Sequence, residues 1–358
     1  MTTPRELDGS SAGGQFLRTA LALSVLETEP VRLANVRGDR STPGLRHQHL
    51  AVLETMADLC DAEVSGAELG SETVVFEPGL EPADSERGRE HLAGGSYAVD
   101  IGTAGSVTLL CNALLPLATV LESPLSVTVS GGTDVAWSPP LDYLRYVKLP
   151  LVRRFGIQAA CEVDRRGFYP DGGGTVTLRL APSSLERIDL LERGSIEGLR
   201  LYSTESESLA DRDVAYRQAE GALERLDEVS ELEVTERCER TVASPSPGSA
   251  LVLCVDHGTG IAGFSALGER GKPAERVGED AADAANRFLE GTAPVDRHMG
   301  DQLLAFLAIA GGKVRVPSVT EHVETRCELL EAFGVDVGLE RDRETAVVSV
   351  TSPLSVRE

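Results

Sequence analysis

The chain has 358 residues, 41% of them apolar and 25% charged. That is enough to fill a core, too much for one small domain, and excludes wholesale disorder. Its longest nearly apolar run, Thr108 to Leu121, is about 14 residues against the ~20 a membrane helix needs, and Arg5, Glu6 and Asp8 stand where a secretory leader is apolar, so the sequence reads as soluble and cytoplasmic. Fifty-seven acids against 34 bases leave a net charge of −23, which argues against indiscriminate nucleic-acid binding but leaves room for a local basic pocket.

Only Lys148, Lys272 and Lys313 are lysines, and 4% of residues are aromatic; an acidic, lysine-poor chain suits a high-salt proteome. The six cysteines are too far apart in sequence for a zinc knuckle or a CxxC pair and read as core thiols.

Taken in chain order, the elements repeat. Gly13-Gly14-Gln15 opens a helix, FLRTALALSVL, followed by a strand, VRLANVRG. A second helix starts near Gly44 and ends in LCDAEVSG, a helix stop and a strand, and TVVFEPG closes the unit. The charged, glycine-rich stretch Glu77 to Gly95 reads as an exposed loop. Gly102-Thr103-Ala104-Gly105-Ser106 opens the next helix, VTLLCNALLPLATVL. The same plan then runs through SVTVSGG, a helix from Pro140, FGIQAACEV and TVTLRLAP. A third copy opens at His298-Met299-Gly300-Asp301-Gln302 and runs through LLAFLAIAGG, KVRVPSV, a helix from Thr320, FGVDVGLE and TAVVSVTS. From Gly14 to Gly105 is 91 residues and from Gly105 to Gly300 is 195, so the second interval holds roughly 100 extra residues. They carry their own strand-helix-strand-strand-strand pattern.

The expected fold is therefore α/β: three repeated βαβαββ units packed around a pseudo-threefold axis, with a smaller inserted α/β domain. The expected division is 1–183 and 276–358 for the core and 184–275 for the insertion.

Three glycine-rich helix starts brought to one end would offer free N–H donors and aligned dipoles to a polyphosphate. Arg18 lies one turn into the first helix. Arg37, Arg40 and Arg46, with His47 and His49, crowd the stretch GDRSTPGLRHQHL, and in so acidic a chain that cluster points to phosphate clamping rather than solvated surface. His322 stands in the first turn of TEHVETRCELLEAFG, where a helix dipole favours the neutral, nucleophilic imidazole. Such a group can attack phosphorus and form a phosphoramidate; by spacing alone a surface histidine is the commoner reading. RGFYPDGGG admits a tight strand connection or a direct RNA contact, and Arg153, Arg154, Arg165 and Arg166 are candidate phosphate contacts, a solvated face being the commoner reading for the first two.

The block from Arg166 to Val176, RGFYPDGGGTV, resembles the signature of the RNA 3'-terminal phosphate cyclase family. LDGSSAGGQFLRTALALS, RGDRSTPGLRHQHL, DIGTAGSVTLL, VSGGTDVAWSPP and DRHMGDQLL resemble further blocks of that family, in order, from about Asp8 to Phe333. The resemblance implies a fold kin to the EPSP-synthase architecture. It implies ATP-dependent conversion of an RNA 3'-terminal phosphate to a 2',3'-cyclic phosphodiester, with a divalent metal, Mg²⁺ or Mn²⁺, and a covalent histidine-AMP intermediate. It places the nucleophile at His322. Arg18, Arg37, Arg40, Gln48, Asn112, His298, Met299, Gly300, Asp301 and Gln302 fall on the ATP site, with histidine at 298 where the family commonly has tyrosine. By analogy with a catalytic triad, Asp301 is expected to orient His322. Two departures stand out: the first loop is two residues shorter than the family's and lacks its glutamate, which leaves the metal ligands unassigned, Asp8 being one candidate, and Asn112 replaces a common glutamine. The competing implication is a cyclase-like protein without catalysis, acting in ribosomal RNA processing or ribosome assembly; that branch lacks the histidine.

Overall fold

The structure, a computed structural model, describes residues 3–80, 91–102, 105–227 and 232–354. Part of the Glu77 to Gly95 loop, and Thr103 and Ala104, lie outside them.

Unit one comprises β1 (Arg5–Asp8), α1 (Gly14–Glu27), β2 (Val31–Ala34), α2 (His47–Cys60), β3 (Glu63–Ser65) and β4 (Val74–Glu77). Unit two comprises β5 (Gly95–Asp100), α3 (Val107–Leu114), β6 (Leu125–Gly131), α4 (Leu141–Tyr143), α5 (Leu149–Arg154), β7 (Ala159–Arg165) and β8 (Gly174–Leu180). A π-turn, Leu144–Lys148, joins α4 to α5. Next come β9 (Ile188–Leu190), β10 (Ile196–Ser206), α6 (Val214–Asp227), β11 (Val234–Val242), β12 (Ser249–His257), β13 (Gly260–Leu267) and α7 (Ala274–Glu290). The chain then runs through α8 (Arg297–Gln302), α9 (Leu304–Ala310), β14 (Gly312–Val316), α10 (Glu321–Ala332), β15 (Asp336–Asp342) and β16 (Thr345–Ser352).

Three sheets share one plan. Their orders are β1-β2-β4-β3, β5-β6-β8-β7 and β9-β14-β16-β15. In each, the first two strands are parallel, which requires the helical crossover between them, and the other pairings are antiparallel. The expected three-unit fold is thus present, with one apolar core shared by all three units.

The domain boundaries fall elsewhere than at 184 and 275. β9 lies within 184–275, yet it pairs with β14 as the first strand of unit three. The extra residues therefore interrupt unit three after its first strand. At the other end, α7 continues to Glu290 and packs on α6, β12 and β13, so it goes with the insertion.

The inserted sheet, β11-β10-β12-β13, is covered on both faces. Leu251, Leu253 and Val255 of β12 turn to a second core with Ala281 and Ala285 of α7, while the alternate residues Val252 and Cys254 join the main core. That is the period-2 pattern of a strand buried on both sides. All six cysteines are free thiols, four of them buried.

Candidate active site

Helix α1 packs on α2, α3 and α10, so residues from all three units meet at its first turns. Gly13 caps α1 without a side chain to satisfy the first N–H groups. The other two starts differ from expectation. Ser106 Oγ accepts the Leu109 N–H of α3 at 3.3 Å, and Asp296 Oδ1 accepts the N–H groups of His298 and Met299 in α8 at 2.9 and 3.0 Å. His298 to Gln302 thus lie inside a helix rather than ahead of one.

Two adjoining clefts open here. The larger, about 460 Å³, is lined by Arg18 of α1, Asn112 of α3, Lys148 of the π-turn, Gln302 of α8 and Arg326 of α10. The smaller, about 230 Å³, is lined by Gly13, Gln15, His322 and Arg326. Arg326 is one helical turn beyond His322 and borders both. A Cβ added to Gly13 would lie 3.7 Å from Arg40 Nη2 and 3.9 Å from His322 Cε1, so the bare start of α1 sits between those side chains.

The larger cleft is electropositive and under-satisfied. Lys148 and Arg326 are buried, and Lys148 donates to Gln302 Oε1 at 2.8 Å. The carboxylate opposing these cations is that of Asp301, whose Oδ1 accepts Gln15 Nε2 at 3.2 Å. Arg326 Nε and Asn112 Oδ1 are buried without a partner, which a protein interior seldom tolerates and a ligand would relieve. Burial lowers the Arg18 guanidinium to about 10, with Arg326 adding and Asp301 opposing. Burial first, then the charge of Arg326, pushes Lys148 down to about 7; Asp301 opposes this and Arg18 adds to it. An anion in the cleft favours the charged lysine and raises it again. Pyrophosphate binding at pH 8 should therefore take up a proton, seen as a calorimetric enthalpy that changes with the buffer's ionisation enthalpy. Lys148→Met, which leaves the ligand's own titration in place, should take up fewer protons than wild type, and the same buffer dependence in both proteins would contradict this account.

Other candidates serve the frame. Arg37 donates from Nη1 to the carbonyls of Thr42 and Gly44, both at 3.0 Å, and so ties its own loop. His49 is buried and pushed to about 3 by burial first, then by Arg18, Arg37 and Arg46, so its ring is neutral. Its Nδ1 accepts the Arg46 N–H at 3.2 Å. Gly14 is required at the start of α1, because a Cβ there would come within 2.0 Å of His49 Nε2. Gln48 is half-buried in the first turn of α2 and lines neither cleft.

Met299 is wholly buried in the core, and Gly300 lies in α8 where a Cβ would press to 3.0 Å from Val316 Cγ1. His298 is exposed and meets Tyr143 edge-on with ring centroids 6.3 Å apart. Asp301 is hydrogen-bonded to Gln15 rather than to His322, so the expected triad-like orientation is not what the structure shows.

Of the arginines near RGFYPDGGG, Arg153, Arg154 and Arg165 are exposed, whereas Arg166 differs from expectation. Arg166 is buried, forked onto both oxygens of Asp134 and bonded to Asp142, each at 2.8 Å. Arg165 and Arg153 each donate from Nε to a nearby carbonyl, of Gly173 and Ala159, at 2.6 Å. Phe168 fills the space beside Gly248, and Asp171 accepts from Ser246 Oγ at 2.8 Å, so the block fastens core to insertion.

No cluster of three or more His, Cys, Asp or Glu side chains suited to a cation occurs among the described residues. Asp8 is engaged by the Ser10 N–H and Asn35 Nδ2, at 3.0 and 3.1 Å. Among the described residues the side chains do not make a divalent-metal cage.

Sequence reasoning missed Lys148, Gln15 and Arg326. The lysine had a signal, being one of three in a chain with 34 bases; the arginine had none beyond its one-turn spacing from His322.

A three-unit α/β fold with a cationic, partly unsatisfied cleft beside an exposed histidine has the chemistry that suits an anionic ligand. The chain belongs to the RNA 3'-terminal phosphate cyclase family, whose model matches residues 10–337, and is an enzyme of that class. It is 47% identical over 342 residues to a protein of Halobacterium salinarum named RNA 3'-terminal phosphate cyclase, covering 96% of this chain and 98% of that one. A protein of Methanopyrus kandleri with the same name is 42% identical over 359 residues, covering 96% and 98%, and one of Pyrococcus furiosus is 40% identical over 333 residues, covering 91% and 92%. A solved enolpyruvyl transferase, NikO from Streptomyces tendae, spans all of this chain and 50% of its own at TM-score 0.36 and 13% identity, a likeness too slight to argue from.

Proposed function

We propose that the protein uses ATP to convert an RNA 3'-terminal phosphate into a 2',3'-cyclic phosphodiester, inside the cell, through AMP carried on His322. The imidazole attacks the α-phosphorus of ATP; an N–P bond forms, the bond to the β-phosphate's bridging oxygen breaks, and pyrophosphate leaves. An oxygen of the RNA 3'-phosphate then displaces the imidazole and takes the AMP. The vicinal 2'-OH attacks the activated 3'-phosphorus, loses its proton, and expels AMP.

The observation that supports this reading best is the meeting of His322, Arg40 and the bare start of α1 around Gly13, next to the Arg18–Lys148–Arg326 cleft. Backbone donors and guanidinium groups suit a triphosphate whose charge is redistributed as pyrophosphate departs. Arg37, Gln48 and His298 stand outside the two clefts; in this reading Arg37 and Gln48 shape the arginine loop and His298 flanks the nucleotide. No step is routed through a metal held by the protein. No helix among the described residues is long and apolar enough to cross a membrane, in keeping with a substrate met in solution.

The test is a 3'-phosphorylated oligoribonucleotide incubated with ATP. The expected product resists phosphatase and forms with release of AMP and pyrophosphate. An oligonucleotide whose phosphate stays phosphatase-sensitive would favour the non-catalytic alternative in ribosomal RNA processing.

A further inference from the structure

Trp137 is the single tryptophan of the chain and is 97% exposed. It has a positive φ of 62°, in the left-handed region that a bulky L-residue seldom adopts. Nothing in its own packing accounts for this, since the side chain buries almost no surface. The loop beneath it, by contrast, is fixed at both ends. Asp134 is held by Arg166, Thr133 Oγ1 donates to Asp134 Oδ2 at 2.6 Å, and Leu141 N donates to Asp134 Oδ1 at 3.2 Å. At the far end, Thr108 Oγ1 donates to the Pro139 carbonyl at 2.8 Å. A rigid loop that presents a large aromatic side chain to water in an unfavourable backbone conformation is a device for contact with something else.

Its place says with what. Thr108, which holds Pro139, belongs to α3, whose Leu109 and Asn112 line the larger cleft. Tyr143, three residues beyond Pro140, touches His298. Trp137 is thus carried by a loop tied at Pro139 to α3, a helix that contributes Leu109 and Asn112 to the larger cleft, and is itself outside both clefts. The bridge between Asp134 and Phe168 brings alongside it the segment carrying Tyr169, which is 64% exposed. Two exposed aromatic side chains on adjoining loops, one loop tied to a helix that lines a cationic cleft, suit an unpaired nucleobase, whose face stacks on an aromatic ring whatever its identity.

We propose that Trp137 is a stacking platform for a base near the 3' end of the RNA, with Tyr169 alongside it, so that part of the RNA affinity comes from base stacking rather than phosphate charge. This rests on the cyclase reading for the ligand, and the test separates the two. The single tryptophan makes intrinsic fluorescence a direct reporter, read without turnover. A 3'-phosphorylated oligoribonucleotide should quench it; the same oligonucleotide with abasic residues at its 3' end, and ATP alone, should not. Trp137→Ala should raise KM for the oligonucleotide about 10-fold or more with kcat little changed, and Trp137→Phe should restore most of the affinity. The thermal midpoint of both variants should match wild type, because the side chain packs against nothing. Quenching by ATP alone would give Trp137 to the nucleotide, and fluorescence that varies with protein concentration would give it to a second copy of the chain. Either result, or an unchanged KM in Trp137→Ala, overturns the proposal. Quenching by the oligonucleotide without cyclisation would instead overturn the reaction and leave the platform standing.

Discussion

His322→Ala should abolish labelling of the protein by ATP carrying radioactive α-phosphate, a loss on the order of 10³-fold or more, as removal of a nucleophile produces. The side chain is exposed in the first turn of α10, with Thr320 Oγ1 capping that helix through the Val323 N–H at 3.2 Å. Truncating it removes no buried contact, so the variant should fold and melt like wild type. It should still bind pyrophosphate in the neighbouring cleft, because Arg18, Lys148 and Arg326 are untouched. Loss of labelling with retained binding separates a nucleophile from a residue that merely shapes the site. Retained labelling would assign the covalent step elsewhere.

The second large effect is on stability. Arg166→Met should destabilise the protein by about 3–5 kcal/mol, since it strands two buried carboxylates. Burial disfavours the charge on Arg166, but Asp134 and Asp142 outweigh that and hold the guanidinium firmly protonated. Burial likewise opposes ionisation of Asp142, and Arg166 wins, keeping its carboxyl below the usual range. A carboxyl lowered in the folded state stabilises above its unfolded pKa and loses that contribution as pH falls through the folded one. In wild type this contribution fades in acid. In Arg166→Met the Asp142 carboxylate, stripped of that partner, becomes easier to protonate, and acid relieves it. The difference between the two proteins in denaturant unfolding should therefore narrow from pH 8 to pH 5. A gap that stays constant or widens would mean the network is not what carries the stability.

The repeat was legible because each copy combines a glycine-bearing or polar start, an apolar helix and a closing strand with the same punctuation. β9 was not, because three residues paired only with β14, more than a hundred positions away, leave no local pattern. That distance also hid where the insertion enters unit three. α7 lay beyond the expected boundary, although its alanine stripe packs on α6 as a helix face should. In the site, His322 and Arg40 were visible as residue types in telling places. Met299 and Gly300 were named with a segment whose polar members carry its chemistry, and their small or apolar side chains went to packing instead. Arg326 became visible only when α1, α3, the π-turn, α8 and α10 converged, since a shared cleft is a property of the assembly rather than of any one segment.

The proposed carriage of AMP by His322 can be read directly. Wild-type protein incubated with ATP, digested without acid so that a phosphoramidate survives, and analysed by mass spectrometry should yield the tryptic peptide Val316–Arg326 bearing one adenylyl group on its histidine. An adenylyl group found on another residue, or none under conditions where the oligonucleotide is cyclised, would contradict it.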